Sequence, residues 1–310
     1  MRIAIMGTGG MGGFYGGLLA AQDRDVSFIA RGPHMQAIRE HGLRLIGPDT
    51  DIKIKPATVT DDPASIGRVD VVLFCVKLYS AETAAELIKP LVGPNTMVIS
   101  VMNGVDGPDR IASILGRDHV VGGAAYAAAT IEEPGVVGFR KGPNRLVYGE
   151  LDGTISNRVQ AFQKLCEGAG FTADISDDIL ATLWSKFVML STNAALTALA
   201  RQPVGVVYKD PDIRPVAVAL MNEAYAVAKA QDINVPDDIV ERSLTTIQSF
   251  APDMYASMYH DLIAGRPLEV ASFSGLITRL GQQLNVPTPH HHTAYACLKP
   301  YANGAPTNSA

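Results

Sequence analysis

Tryptophan occurs once and cysteine three times in 310 residues. Cys75, Cys166 and Cys297 are scattered without a CxxC pair, which excludes a disulfide framework and a structural zinc site and suits a reducing cytoplasm. Charge is sparse too: 18% of residues, with 26 Lys+Arg against 31 Asp+Glu. A net charge of −5 leaves no general basic surface for a nucleic acid backbone, so no nucleic acid partner is expected. No apolar run approaches the ~20 residues of a membrane span, and Arg2–Met6 reads as a strand rather than a cleavable leader, so no membrane partner is expected. Neither internal repeats nor low-complexity tracts occur, apart from a loose tail over Asn303–Ala310. What is abundant is hydrophobic side chain, 47% of the chain, enough for sizeable cores in a length that suits two domains.

The first half alternates β-branched runs with helical periodicity, the pattern of βαβ units feeding a parallel sheet. Strands are expected at Arg2–Met6, Asp25–Ala30, Asp70–Val76 and Met97–Val101, with a helix over Ser80–Leu91. Further strand-like runs at His119–Thr130, Gly135–Lys141 and Arg145–Gly149, linked by the turn Glu133-Pro134-Gly135, add an antiparallel or mixed edge. Beyond about residue 170 strand signals give way to amphipathic helices at Asp178–Arg201, Asp212–Gln231, Pro236–Phe250, Met254–Ala264 and Glu269–Leu284. The domains are therefore 1–172, α/β, and 173–310, all-α.

Ile3-Ala4-Ile5-Met6 runs into Gly7-Thr8-Gly9-Gly10-Met11-Gly12, a GxGxxG between a strand and a small-residue helix. Gly7 allows the tight turn, Gly9 lets a pyrophosphate approach the backbone, and Gly12 lets helix and strand pack closely. Enzymes selective for NAD usually place an acidic residue at the end of the second strand; Ala30-Arg31 stands there, and a guanidinium suits the extra phosphate of NADP. Lys77 and Asn103, in Asn103-Gly104, follow two more parallel strands at the ends where such sheets bind ligands, although a solvated lysine and an ordinary Asn-Gly turn would look the same.

In the helical half, Lys186 lies in Leu183-Trp184-Ser185-Lys186-Phe187-Val188-Met189-Leu190. A lysine so placed either reaches water or is held where burial lowers its pKa for proton transfer. Asn193, seven residues on, shares its helix face. Singly, Glu269 reads as a helix-dipole carboxylate and Ser257 as an exposed hydroxyl. Three consecutive histidines, His290-His291-His292, cannot all face one metal from a helix and read as a surface or helix-start feature.

Together these residues resemble the ketopantoate reductase (2-dehydropantoate 2-reductase) family over nearly the whole chain. The shared features are the GxGxxG with arginine closing the second strand, Lys77, Asn103-Gly104, Trp184-x-Lys186-Phe187, and Ser257-Met258 twelve residues before Glu269. The resemblance implies a Rossmann-type NADP-binding domain followed by a helical domain like that of 6-phosphogluconate dehydrogenases. It implies NADPH-dependent reduction of a 2-oxo acid, 2-dehydropantoate to (R)-pantoate in pantothenate biosynthesis, without a metal. By position, Lys186 is the catalytic lysine; Glu269 binds the substrate hydroxyl and supports it. Ser257 holds the substrate carboxylate, Asn103 lies near nicotinamide and substrate, and Arg31 and Lys77 take cofactor phosphate. Many members carry asparagines four and eight residues after the lysine, where this chain has Leu190 and Ala194; Asn193 is the substitute. A more apolar 2-oxo acid is therefore one alternative and a non-catalytic NADP sensor another. The apolar faces of the helical half allow a homodimer.

Overall fold

In a computed structural model describing residues 1–55 and 58–305, the chain divides into two units between Ile179 and Leu180. The first begins with β1 (Ile3–Met6), α1 (Gly10–Ala20), β2 (Val26–Ile29), α2 (Gly32–His41), β3 (Leu43–Gly47), β4 (Thr50–Ile54) and β5 (Thr58–Thr60). It continues with β6 (Val69–Phe74), α3 (Ala81–Leu87), β7 (Val92–Ser100), α4 (Gly107–Leu115), β8 (Val120–Tyr126), β9 (Ala129–Glu133), β10 (Val136–Phe139), β11 (Arg145–Glu150), α5 (Asn157–Cys166) and β12 (Thr172–Ile175).

Eight strands form the main sheet in the order β12-β11-β8-β7-β6-β1-β2-β5. The six from β8 to β5 are mutually parallel, while β11 runs antiparallel to β8 and parallel to β12. Their order, stepping outward from β1 in both directions, is that of a dinucleotide-binding sheet, with the switch point between β1 and β6. β1, β2 and the last four residues of β6 are wholly buried apolar runs but for Ser27, as parallel strands covered on both faces require.

Four short strands build a second sheet, β4-β3-β10-β9, which sequence reasoning missed. The expected strand His119–Thr130 is in fact two: β8 belongs to the main sheet and β9 to this one. The two sheets explain the glycines of α1. A Cβ on Gly16 would lie 2.6 Å from Ile5 and 2.8 Å from Phe28 of the main sheet; on Gly13 and Gly17 it would lie 2.7 Å from Val137 and 2.8 Å from Leu45 of the second. Each helical glycine costs about 0.5–1 kcal/mol of propensity, offset here by close packing on both faces.

The expected boundary at 172/173 falls inside this first unit, because Thr172–Ile175 pairs with Arg145–Tyr148. Its polar Thr172 and Asp174 left too little apolar signal to read. The helix expected over Ser80–Leu91 is α3 flanked by two 3-10 turns, the second, Lys89–Leu91, containing Pro90, which lacks a helical N–H donor.

The second unit is helical: α6 (Ile179–Ala200), which begins at the division, α7 (Val204–Val207), α8 (Ile213–Lys229), α9 (Ile239–Gln248), α10 (Ser257–Ile263), α11 (Ser274–Leu284) and α12 (Pro289–Leu298). α8, α11 and α12 pack together around His291. The histidine run does start a helix, but His291 is wholly buried rather than on the surface: Nδ1 pairs with Ser274 Oγ at 3.1 Å and Nε2 with the Leu220 carbonyl at 3.0 Å. Glu223 of α8 caps α12 by accepting the backbone N–H groups of His290 and His291, each at 2.9 Å. α6 corrects another expectation. Its 22 residues are long and apolar enough, by length and composition alone, to cross a membrane; most of them are buried in the protein, as in a core helix. Of the expected loose tail, Ala305 donates its N–H to the Gly265 carbonyl, and residues 306–310 lie outside those described.

Candidate functional site

The glycine loop joins β1 to α1 at the switch point. Gly7 has φ +92° and no room for a side chain, its would-be Cβ lying 2.9 Å from Val76; a Cβ on Gly10 would strike the Ala129 carbonyl at 2.1 Å, and on Gly12 the Gly7 carbonyl at 2.2 Å. These three glycines are required by the protein itself. Gly9 is not: a Cβ there meets nothing within 4 Å. Gly9 is also the N-cap of α1, which has no side-chain cap and no acid in its first turn. An uncapped helix N terminus beside open space fits an anion such as a pyrophosphate.

Three more residues stand at the carboxyl ends of neighbouring parallel strands. Arg31, exposed, caps the start of α2 after β2, and its guanidinium makes no ion pair or hydrogen bond among the described residues. No carboxylate follows β2 before it. Lys77, half-buried, precedes the 3-10 turn after β6, and Asn103, half-buried, follows β7 with Gly104 at φ +100°. One end of the sheet thus carries the glycine loop, Arg31, Lys77 and Asn103.

In the helical unit, Lys186 is half-buried at the middle of α6, and burial pushes its pKa down to about 8. An ammonium that loses its proton that readily can act as an acid near neutral pH. Asn193, two turns on, is buried, and its Oδ1 accepts a hydrogen bond from the Tyr208 hydroxyl. Leu190 is half-buried between them and Ala194 fully buried. Glu269 is buried, but it opens a single 3-10 turn, Glu269–Ala271, rather than a helix continuous to Leu284. Ser257 is the exposed first residue of α10. Burial pushes the Cys75 and Cys166 thiols up to about 12, which removes them as nucleophiles, and no metal-binding cluster of His, Cys, Asp or Glu occurs among the described residues.

The family pattern of ketopantoate reductase PanE/ApbA matches residues 3–153, and that of its C-terminal part matches residues 178–302. The chain belongs to the ketopantoate reductase family. As such it is an oxidoreductase acting on a CH–OH group, in a family dependent on NAD(P)H. It is 29% identical to a 2-dehydropantoate 2-reductase of Mesorhizobium japonicum, covering 93% of this chain and 94% of the relative. With the uncharacterized oxidoreductase YkpB of Bacillus subtilis it shares 25% identity over 97% of this chain and 99% of the other. The crystal structure of a PanE/ApbA family ketopantoate reductase from Ralstonia eutropha JMP134 superimposes with a TM-score of 0.90 at 31% identity, covering 97% and 98% of the two chains. A D-mandelate dehydrogenase solved with NADH and anilino(oxo)acetate has the same fold, TM-score 0.88 at 23% identity over 97% and 98%.

Two residues of this reductase escaped sequence reasoning. Tyr208, which fixes the Asn193 amide, lies in an unremarkable Val206-Val207-Tyr208 stretch. His34 in the first turn of α2 contacts the β9–β10 turn, a partnership 101 residues apart that no local pattern signals.

Proposed function

We propose that the chain uses NADPH to reduce a 2-oxo acid to its 2-hydroxy acid, and that the substrate is 2-dehydropantoate, giving (R)-pantoate for pantothenate synthesis. The observation that carries this reading is Lys186, an ammonium held at a pKa of about 8 by burial in a chain whose first unit has an anion-ready glycine loop. Bound NADPH supplies hydride to the keto carbon.

The protein's own groups do the rest. The backbone from Gly7 through Thr8, Gly9, Gly10 and Met11 to Gly12 takes the pyrophosphate, while Arg31 and Lys77 take the 2′-phosphate, for which a guanidinium fork is suited in charge and shape. Lys186 stabilises the negative charge developing on the carbonyl oxygen and donates the proton that makes the hydroxyl. With a pKa of about 8 it is about nine-tenths protonated at pH 7 and still a far stronger acid than an ordinary lysine. Glu269 accepts the substrate hydroxyl and supports the lysine. Ser257 binds the substrate carboxylate, Asn103 orients nicotinamide and substrate, and Asn193 lines the substrate side.

A second reading, a more apolar 2-oxo acid, is favoured by Leu190 and Ala194 on the lysine's helix, which offer no amide to a substrate hydroxyl. Comparing kcat/KM for 2-dehydropantoate with a panel of aliphatic and aryl 2-oxo acids separates the two. The first reading requires 2-dehydropantoate to lead the panel; an apolar acid ahead of it by tenfold or more (about 1.4 kcal/mol) overturns the assignment. Tight cofactor binding with no turnover on any acid supports a sensor.

A further inference from the structure

Tyr208 has no part in the reading above, although it holds a residue that does. Four polar side chains are buried along α6 beyond Lys186: Ser191, Thr192, Asn193 and Thr197. Three of them direct their hydroxyl hydrogens to their own helix. Ser191 and Thr192 donate to the Val188 carbonyl, at 3.5 and 3.0 Å, and Thr197 donates to the Asn193 carbonyl at 2.7 Å. Asn193 differs. Its Oδ1 accepts the Tyr208 hydroxyl, while its Nδ2 makes no hydrogen bond among the described residues and is not sealed from solvent.

The pairing has one direction. A phenol keeps its proton at neutral pH, and the Tyr208 hydroxyl has no other partner among the described residues, so with the amide reversed its hydrogen would be left without an acceptor. Backbone contacts hold the donor in turn. Tyr208 caps the C terminus of α7, whose Val204 and Gly205 N–H groups donate to the carbonyls of Met254 and Pro252, each at 2.9 Å. A Cβ on Gly205 would lie 2.6 Å from that Pro252 oxygen, so the contact is close as well as bonded. Asn193 stands about 20° around α6 from Lys186 and about 10.5 Å along it. Helical side chains lean toward the N terminus, so the amide leans back toward the turn that carries the lysine. An amide fixed in this way presents its NH2, and not its oxygen, to the space beside it.

We propose that Tyr208 is a specificity-determining positioning residue: its hydroxyl turns the Asn193 amide so that a donor faces the substrate, and the 2-oxo acid carries a hydrogen-bond acceptor at the end remote from its keto group. The proposal rests on the reading of Lys186 as the proton donor to a 2-oxo acid. A hydroxyl oxygen meets the requirement, whereas an alkyl group leaves the NH2 without a partner. Without the Tyr208 hydroxyl the amide is free to present either its nitrogen or its oxygen, and the preference for an acceptor falls.

The test compares 2-dehydropantoate with 3,3-dimethyl-2-oxopentanoate, the same acid with its hydroxyl replaced by methyl. Both are given to wild type, Tyr208→Phe, Asn193→Ala and the double variant at saturating NADPH, with thermal melts alongside. Expected is a ratio of kcat/KM values that favours 2-dehydropantoate in wild type and falls about tenfold in Tyr208→Phe, the change lying in the KM for 2-dehydropantoate rather than in kcat. The double variant should match Asn193→Ala, because without the amide the hydroxyl has nothing to turn. Equal losses on both acids in Tyr208→Phe mean a structural role only and overturn the proposal. An unchanged ratio, a double variant whose losses simply add, or a wild type that prefers the methyl acid overturns it as well. If Asn193→Ala fails to fold, the ratio and the KM shift in Tyr208→Phe still decide. A wild type that binds NADPH but reduces neither acid instead removes the reading of Lys186, and the proposal with it.

Discussion

Replacing Lys186 with methionine separates two consequences of burying a cation. Burial holds the ammonium pKa at about 8 against an ordinary 10.5. That difference of about 2.5 units, at ~1.4 kcal/mol each, sets a ceiling of about 3 kcal/mol on the cost to the fold at neutral pH. Lys186 is half-buried rather than sealed, so water screens part of the cost, and methionine should recover about 1–2 kcal/mol. The sign follows from proton counting. Below about pH 8 native and unfolded chains are both protonated and the penalty is complete; between about 8 and 10.5 only the unfolded chain holds the proton, so native stability rises with pH and the penalty fades. At pH 7 Lys186→Met should therefore melt about 2–6 °C above wild type, the gap closing beyond pH 10.5. Its turnover in the reductive direction should fall by about 10²–10⁴ with NADPH affinity unchanged. Wild-type turnover should decline about tenfold per pH unit above about 8, as the proton donor empties. Calorimetry and steady-state kinetics on the same preparations test both halves. A variant that melts lower than wild type and keeps its turnover, or a wild-type profile flat to pH 10, refutes the reasoning.

Arg31→Ala should raise the KM for NADPH by about 10–100-fold, the loss of one or two charge-assisted contacts, and leave the KM for NADH unmoved; equal changes in both exclude Arg31 as a 2′-phosphate ligand. Gly9→Ala, whose Cβ meets nothing, should melt like wild type yet bind cofactor weakly. Gly12→Ala, with its Cβ 2.2 Å from the Gly7 carbonyl, should lose about 2 kcal/mol or more of stability, and melts in the reverse order contradict the packing described. The His291 pKa is pushed down to about 3 by burial, so from pH 6.5 downward the unfolded chain takes a proton that the native one refuses. Wild type should lose up to ~1.4 kcal/mol of stability per pH unit across that window relative to His291→Asn, measured by denaturant titration; parallel curves count against a neutral buried imidazole.

The dinucleotide half was legible where local chemistry dictated it. Gly7, Gly9 and Gly12 sit between two apolar runs, and the runs that became β1, β2, β6 and β7 are buried on both faces and so read as strands. The second sheet was not legible, because its strands are four or five residues long and carry charged, exposed positions such as Arg44, Asp51 and Glu132. The extra glycines of α1 were the trace it left: Gly13 and Gly17 face it, and a helix packed on one sheet alone would not need them. In the helical unit, spacing put Asn193 on the face of Lys186, but not its hydrogen bond with Tyr208, and apolar neighbours alone could not distinguish a lysine reaching water from one with a lowered pKa. Glu269 read as a helix start because carboxylates favour that position, yet the backbone makes one 3-10 turn before α11 begins at Ser274.

The most direct test of the central claim is the consumption of NADPH by purified protein supplied with 2-dehydropantoate and other 2-oxo acids, followed by the loss of reduced-nicotinamide absorbance together with the hydroxy acid formed. The account predicts one 2-hydroxy acid per NADPH oxidised, dependent on Lys186. Tight NADPH binding without hydroxy acid formation from any 2-oxo acid would contradict it.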